Sequence, residues 1–531
     1  MQHGTEAAND DSRIADRSTP KDLPEGLPEL FFGFVGPTGV DLSLVCETLA
    51  SQLNLAGYET GVVSLGDLID PFMGLVHRPG NEFERMDALI SKGTKLRRAT
   101  GNADIVARLG LAHIRVLREQ ITGSMDVRAT HGLAYLVKSF CRPEEIALFR
   151  EVYGQAFLLL SAYAPRESRR RNLALRFAGL QHGNAGPEEL AIRLIARDHA
   201  EDTPLGQKVG DVFPLADYFV LAGRLAALRA NLKRRVQLVF AEPFVSPTRD
   251  EQGMFFAHPA ALRSQDLSRQ VGAAITSAEG DIVATGCNEV PKSGGGLYWA
   301  EDDIVVRDAE LGHDANVGAK TELVTDTLSR MKDRGWLAPH LADQTPQALA
   351  RAALLGRDPF LRRSRVFDVI EYGRAVHAEM AAITQAAKDG RSLKGTRLYC
   401  TTFPCHLCAR HILASGIADV LFIEPYEKSR TDQLHADAIS VEPEEPSRIR
   451  TNFRAFVGVA PRRYMEFFSV GTAPRKTDDG QVTQRAIRGW GPRFRATSMD
   501  YVTEEQRLIR ELPDAGPDSG PGAPLHTTKA A

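Results

Sequence analysis

The sequence predicts an α/β protein of two units in tandem: a doubly wound, mostly parallel sheet, then an α-β-α unit on a mixed sheet. Three observations predict it. Short apolar runs alternate with helical stretches over residues 30–221, the pattern of strands joined by crossover helices. The apolar runs 271–276 and 282–288 flank Ser277-Ala278-Glu279-Gly280-Asp281 as the arms of a hairpin flank its turn. The 531 residues also exceed what one hydrophobic core usually serves.

Residues 1–25 are polar and contain Pro20 and Pro24, so they read as a disordered lead-in. The first unit, residues 26–240, opens with Leu30-Phe31-Phe32-Gly33-Phe34-Val35 and the turn Gly36-Pro37-Thr38-Gly39-Val40-Asp41, which leads into a helix. Further strands are expected at 60–64, 132–139, 156–162 and 218–221, with a helix over 221–239 as the bridge to the second unit.

The second unit, residues 241–511, begins with a helix that runs into the hairpin. An insertion, 289–369, follows; it opens with Pro291-Lys292-Ser293-Gly294-Gly295-Gly296 and continues mainly helical. The Ala-rich run 376–388 favours a helix and Gly390 stops it. A strand over 396–402 leads to Pro404, which suits the first turn of a helix over 405–415 closed by Gly416. A strand over 419–424, the loop Pro425-Tyr426-Glu427-Lys428-Ser429 and an apolar stretch within 452–468, a candidate fifth strand, complete the unit. Residues 512–531, rich in Pro, Gly and Asp, read as a loose tail.

The chemistry concentrates in two short segments. His377, Cys405 and Cys408 are three borderline or soft ligands; tetrahedral zinc in an enzyme takes three such ligands and leaves its fourth position to water. The i, i+3 spacing puts both cysteines on one helix face, and the free amides at that helix start favour thiolate. Glu379 lies two residues from the histidine, within reach of a water beside the metal without being a ligand, which is the place of a proton shuttle. His406 points about 100° away around the helix from each neighbour, and Cys400 sits mid-strand, where packing is its role. The pattern His-x-Glu followed by Pro-Cys-x-x-Cys resembles the signature of the zinc deaminases of cytosine and adenine rings.

Other runs narrow the resemblance. Arg263-Ser264-x-Asp266, then Gln270-Val271-Gly272-Ala273, then Thr285-Gly286-Cys287-Asn288 look like the opening of deoxycytidylate deaminases. The first unit's turn resembles the phosphate-binding loop of P-loop kinases and NTPases, with Gly33, Gly36 and Gly39 as its nucleotide-binding candidates. It departs where such loops carry Lys then Ser or Thr: here stand Val40 and Asp41, so phosphoryl transfer is not expected. The whole arrangement is similar to the bacterial two-domain anti-phage dCTP deaminases.

That resemblance implies a P-loop NTPase/kinase-like first unit and a cytidine deaminase-like second unit. It implies a zinc cofactor and deamination of free dCTP or dCMP to the uracil nucleotide, draining the pool that phage replication uses. It further implies substrate contacts at Asn288 and Ala378, phosphate contacts at Lys428 and Ser429, a nucleotide effector at the first unit, a regulatory RNA and a homo-oligomer. Two other readings stand beside it: a deaminase of RNA or single-stranded DNA, and a nucleotide- or RNA-sensing protein with the deaminase unit as scaffold.

Composition limits the choice. With 43% hydrophobic and 25% charged residues and a net charge of −3, the chain carries no global basic footprint for long nucleic acid, and 7% aromatics give no sign of a stacking channel. Six cysteines do not make a disulfide framework in this length, so a reducing, cytoplasmic setting is expected. Neither a signal peptide nor a membrane span is apparent.

Overall fold

A computed structural model of the chain describes residues 27–75, 80–180, 185–199, 201, 203–357, 359–425, 429–470, 475–483, 491–494 and 501–513. The lead-in 1–25, Lys428 and most of the tail lie outside the described residues. Below, helices of ten residues or more are numbered.

All five strands expected in the first unit form: β1 Leu30–Val35, β2 Glu59–Ser64, β3 Leu133–Lys138, β4 Phe157–Tyr163 and β5 Tyr218–Leu221. They run parallel in the order β5-β4-β1-β3-β2. Every residue of β1 is buried, as a central strand covered on both faces requires. Crossing helices α1 (Leu42–Leu55), α2 (Glu82–Thr100), α3 (Ile105–Thr122), α4 (Pro143–Tyr153), α5 (Arg166–Arg176) and α6 (Pro187–His199) flank the sheet. Helix α7, Leu225–Val239, is not a free bridge: Leu228, Leu232 and Val236 pack with Val45, Leu49 and Leu53 of α1. Three leucine- and valine-sized anchors at helical spacing gain more from that burial than from spanning solvent.

The second unit carries the expected hairpin, helix, strand, helix, strand: β6 Gly272–Thr276, β7 Ile282–Cys287, β8 Arg397–Thr402 and β9 Asp419–Glu424. With β10 (Ile439–Val441) and β11 (Thr451–Ala455) they form a mixed sheet in the order β10-β11-β9-β8-β6-β7, antiparallel only at β6. Helix α8, Arg249–Ala261, lies against one face of this sheet, where a side chain at Gly272 would strike the Ala257 carbonyl. The insertion contributes α9 (Ala315–Asp333) and α10 (Pro346–Leu355), which pack on each other. Its ends meet: Glu289 and Val376 exchange backbone hydrogen bonds of 3.2 and 3.0 Å, so eighty-odd extra residues leave and re-enter at one point without stretching the core.

The stretch 452–468 supplies the expected further strand of this sheet, β11, and then leaves it. After β11 the chain turns at Phe456, and β12, Gly458–Val459, pairs antiparallel with β5 at the edge of the first sheet. Helix α13, Tyr501–Arg510, also docks on the first unit: Arg118 on α3 binds Glu29 and Glu505 while all three are fully buried. One hydrophobic cluster runs through both units, joining Phe31, Tyr135 and Phe219 to Met254, Ala274 and Tyr399. Among the described residues no helix is long and apolar enough to cross a membrane.

Candidate active site

Two helix starts build the site. Helix α11, Ala378–Lys388, has His377 as its N-terminal cap residue and Glu379 in its first turn; helix α12, His406–Ser415, is capped by Cys405 and carries Cys408 in its first turn. Pro404 stands just outside α12, one residue earlier than the sequence placed it, and Gly416 ends the helix in the left-handed conformation. Helix α11 reaches the sheet closely because β7 offers Gly286: a Cβ there would lie 2.4 Å from the Ala378 carbonyl oxygen and 2.5 Å from the Ala382 nitrogen. No other residue lets the helix start sit so deep.

The structure brings His377, Cys405 and Cys408 together. Their ligand atoms all lie within 4.8 Å of one another, with Cys405 Sγ 3.2 Å and Cys408 Sγ 3.3 Å from His377 Nδ1. Tetrahedral zinc with bonds of about 2.0–2.3 Å sets its ligand atoms about 3.6 Å apart. The three side chains therefore fit one zinc ion after a shift of a few tenths of an ångström, and the nitrogen-sulfur donor set is one zinc accepts. No other group of three such ligands occurs among the described residues.

The electrostatics agree with that donor set. Hydrogen bonds from Cys408 and His377 pull the Cys405 thiol down to about 4, against its burial, while Cys408 is pushed well above the usual thiol range by sharing its proton with Cys405. His377 is raised to about 9, first by its hydrogen bond to Cys405. Glu379 is buried, and burial followed by the charge of Cys405 raises its carboxyl above the ordinary range. A carboxyl held that way trades a proton more readily near neutral pH than an exposed one.

His377, Glu379 and Cys405 line a cavity of about 250 Å³ whose walls also include Asn288, Ala378 and Phe403. Asn288 is engaged internally: its Oδ1 accepts the Val271 amide at 2.8 Å and its Nδ2 donates to the Arg269 carbonyl at 2.8 Å. One donor and one lone pair remain to it. Ser429 does not line this cavity. Its hydroxyl donates to the Pro404 carbonyl at 3.1 Å, on the far side of the α12 start. Gly33, Gly36 and Gly39 are remote from it as well. Gly33 lies inside β1 under the rings of Phe140 and Phe157, and Gly39 packs on the backbone of Arg169. The turn amide of Thr38 is bound by the Asp198 carboxylate at 2.7 Å, and Asp41 caps α1 by accepting the Leu44 amide at 2.9 Å.

Sequence reasoning missed part of the wall. Arg269 and Arg374 line the cavity, and the insertion contributes Asp308, Asp314 and Asn316, with Arg374 bound to Asp308 at 2.7 Å. Arg374 stands three residues before His377 and Arg269 one before Gln270, so adjacency to the recognised runs was the available signal. For the insertion residues no local signal existed.

Comparison with known proteins agrees with this geometry. Residues 247–424, from the cap of α8 to the end of β9, match the family model of the cytidine and deoxycytidylate deaminase zinc-binding region. Deoxycytidylate deaminase of Enterobacteria phage T2 is 42% identical over 55 residues, 10% of this chain and 29% of its own. The human deoxycytidylate deaminase is 23% identical over 225 residues, 42% of this chain and 88% of its own. The first of these relatives is thus spanned over less than a third of its length. A crystal structure of cyanophage S-TIM5 dCMP deaminase in complex with dCMP and dUMP aligns at 16% identity over 40% of this chain and 98% of its own, with a TM-score of 0.23. The second unit carries a cytidine/deoxycytidylate deaminase domain with deoxycytidylate deaminase homologues.

Proposed function

We propose that the chain is a zinc-dependent hydrolytic deaminase of free deoxycytidine nucleotides, dCMP or dCTP. The observation that carries the reading is the buried Glu379 carboxyl beside the His377, Cys405 and Cys408 cluster, at the wall of one small cavity. A zinc ion held by these three ligands supplies the electrophile that makes water nucleophilic near neutral pH. Glu379 takes a proton from that water and delivers it to ring N3, as oxygen adds at C4 of the cytosine. It then takes the proton of the new C4 hydroxyl and passes it to the departing amine, so the ring keeps a carbonyl and ammonia leaves. Asn288 and the Ala378 backbone, both in the wall, position the sugar and ring.

The shape of the cavity supports a free nucleotide over a polymer. The cavity is small, about 250 Å³, and is lined both by residues 266–269 and by the insertion's Asp308, Asp314 and Asn316. Arg269 and Arg374 are the cations on that wall, the first paired with Glu424 at 3.4 Å and the second with Asp308 at 2.7 Å, and a phosphate would be met by exchange of one of these carboxylates. By the resemblance drawn from the sequence, dCTP depletion in defence against phage, control by an RNA and assembly as a homo-oligomer complete the reading. Purified zinc-loaded protein mixed with dCMP or dCTP is expected to release ammonia and the matching uracil nucleotide. Turnover of neither, with one zinc bound per chain, removes the proposal.

A further inference from the structure

A second cavity, of about 710 Å³, opens between the two units, walled by α5 and α6 on one side and the β9-β11-β10 edge on the other. That volume falls within the ~300–1,000 Å³ of small-molecule sites. Its lining is aromatic and cationic together: Phe213, Phe403 and Phe422 with Arg169 and Arg450.

Of the four carboxylates in its lining, the exposed Asp432 has no partner among the described residues and the other three are engaged. Glu167 holds Arg170, Asp198 accepts the Thr38 amide and Gln207 Nε2, and Glu442 accepts the Arg166 amide at 3.0 Å. Arg169 donates Nε to the Ala164 carbonyl at 3.2 Å, and among the described residues neither it nor Arg450 forms an ion pair. Burial depresses the Arg169 guanidinium, although Glu442 and Asp198 lie near enough to oppose that. A planar fork with free donors beside aromatic walls matches a phosphate joined to a flat ring.

The cavity also touches the catalytic machinery. Phe403 lines both cavities. Ser429 lines the second and, with Thr431, donates to the carbonyl of Pro404, the residue before the Cys405 ligand. We propose that this cavity between the units binds a phosphate-bearing ligand of the nucleotide class, and that its occupant sets Phe403 and the start of α12 and thereby the rate at the zinc site. The rate effect rests on the deaminase reading; the binding does not. The effector site therefore lies beside the glycine turn and not in it, since Asp198 already occupies the Thr38 amide.

The test is calorimetry on the zinc-loaded full chain with three probes, ATP, GTP and inorganic tripolyphosphate, alongside deamination assays with and without the same probes. At least one nucleotide is expected to bind in the micromolar range and change turnover more than twofold. Arg169→Met, which keeps the aliphatic stem, and Val441→Trp, which puts a bulky ring into the cavity, are each expected to weaken that binding tenfold or more. Arg169→Met should keep the probe-free turnover and the melting temperature of the parent. Absence of binding by all three probes overturns the proposal, as does binding that both variants leave unchanged. Binding without any change in turnover overturns the coupling. A chain that deaminates neither dCMP nor dCTP under any condition refutes the deaminase reading, while the calorimetry still decides the cavity.

Discussion

Glu251 accepts Arg234 through both carboxylate oxygens, at 2.8 and 2.7 Å, and the pair joins the two units. Arg234 belongs to α7, packed on the first sheet, and Glu251 to α8, packed on the second. The same carboxylate caps its own helix at Thr248 and accepts the β12 amide of Val459 at 2.9 Å. A fully buried acid that satisfies three elements fixes how the second unit sits against the first sheet.

Replacing Glu251 by Gln removes the charge and leaves Arg234 facing a neutral amide. Because Arg234 keeps some access to water, the expected loss is about 2–3 kcal/mol, below the full cost of an orphaned buried charge. Urea denaturation measures it. Since one hydrophobic cluster spans both units, their unfolding should stay a single transition in the parent and in this variant, with the variant's midpoint at lower urea.

Glu379→Gln keeps the size of the side chain and removes its capacity to carry the proton. Turnover is expected to fall on the order of 10²–10⁴-fold with zinc content and melting temperature unchanged. Steady-state assays with metal analysis check it, and a variant within threefold of the parent contradicts the shuttle role.

The metal ligands test separately. Treatment with 1,10-phenanthroline is expected to abolish turnover, and added zinc to restore it in the parent but not in Cys405→Ala. If the cluster binds zinc in the folded state alone, saturation at about 1,000-fold excess over Kd stabilises the chain by about 4 kcal/mol. Melting curves with and without the ion read that difference.

How much of this was legible depended on whether the information was local. The His377, Cys405 and Cys408 cluster could be read because His377 and Cys405 are helix caps and Cys408 follows at i+3, so sequence spacing fixes their relative directions. Strand β1 could be read because a strand buried on both faces is an unbroken apolar run. By contrast, β12 is two residues long and finds β5 across some 240 positions, and its pairing is driven by docking that no periodicity records. The same holds for Asp308, Asp314 and Asn316, which reach the cavity only because the insertion's ends are clipped at Glu289 and Val376. Asn288 lines the cavity, and its two bonds to the 269–271 strand entry became visible only in three dimensions.

Those bonds carry a prediction. Asn288→Ala deletes one acceptor and one donor that hold buried backbone groups, at an expected cost of about 1–3 kcal/mol. Asn288→Asp keeps the acceptor for Val271 but turns an oxygen toward the Arg269 carbonyl, so it should destabilise at least as much. If Asn288 served the substrate alone, both variants would raise KM and leave the melting temperature at the parent value.

Gly286→Ala probes the approach of α11 to the sheet. The added methyl meets the Ala378 carbonyl and the Ala382 amide at contacts far inside van der Waals range, and both are backbone atoms that cannot rotate away. The helix must retreat from β7, carrying His377 and Glu379 with it while Cys405 and Cys408 stay anchored on α12. Overpacking of this kind costs about 1–3 kcal/mol. The catalytic loss should exceed what that stability change accounts for, because a misplacement of about 1 Å can lower a rate on the order of 10²-fold. Zinc affinity, kcat and the melting temperature measured on the same preparation separate the effects: weakened zinc binding with a kcat that excess zinc does not rescue is the expected result. A variant with unchanged kcat would mean that the depth of α11 is not what aligns Glu379 with the metal ligands.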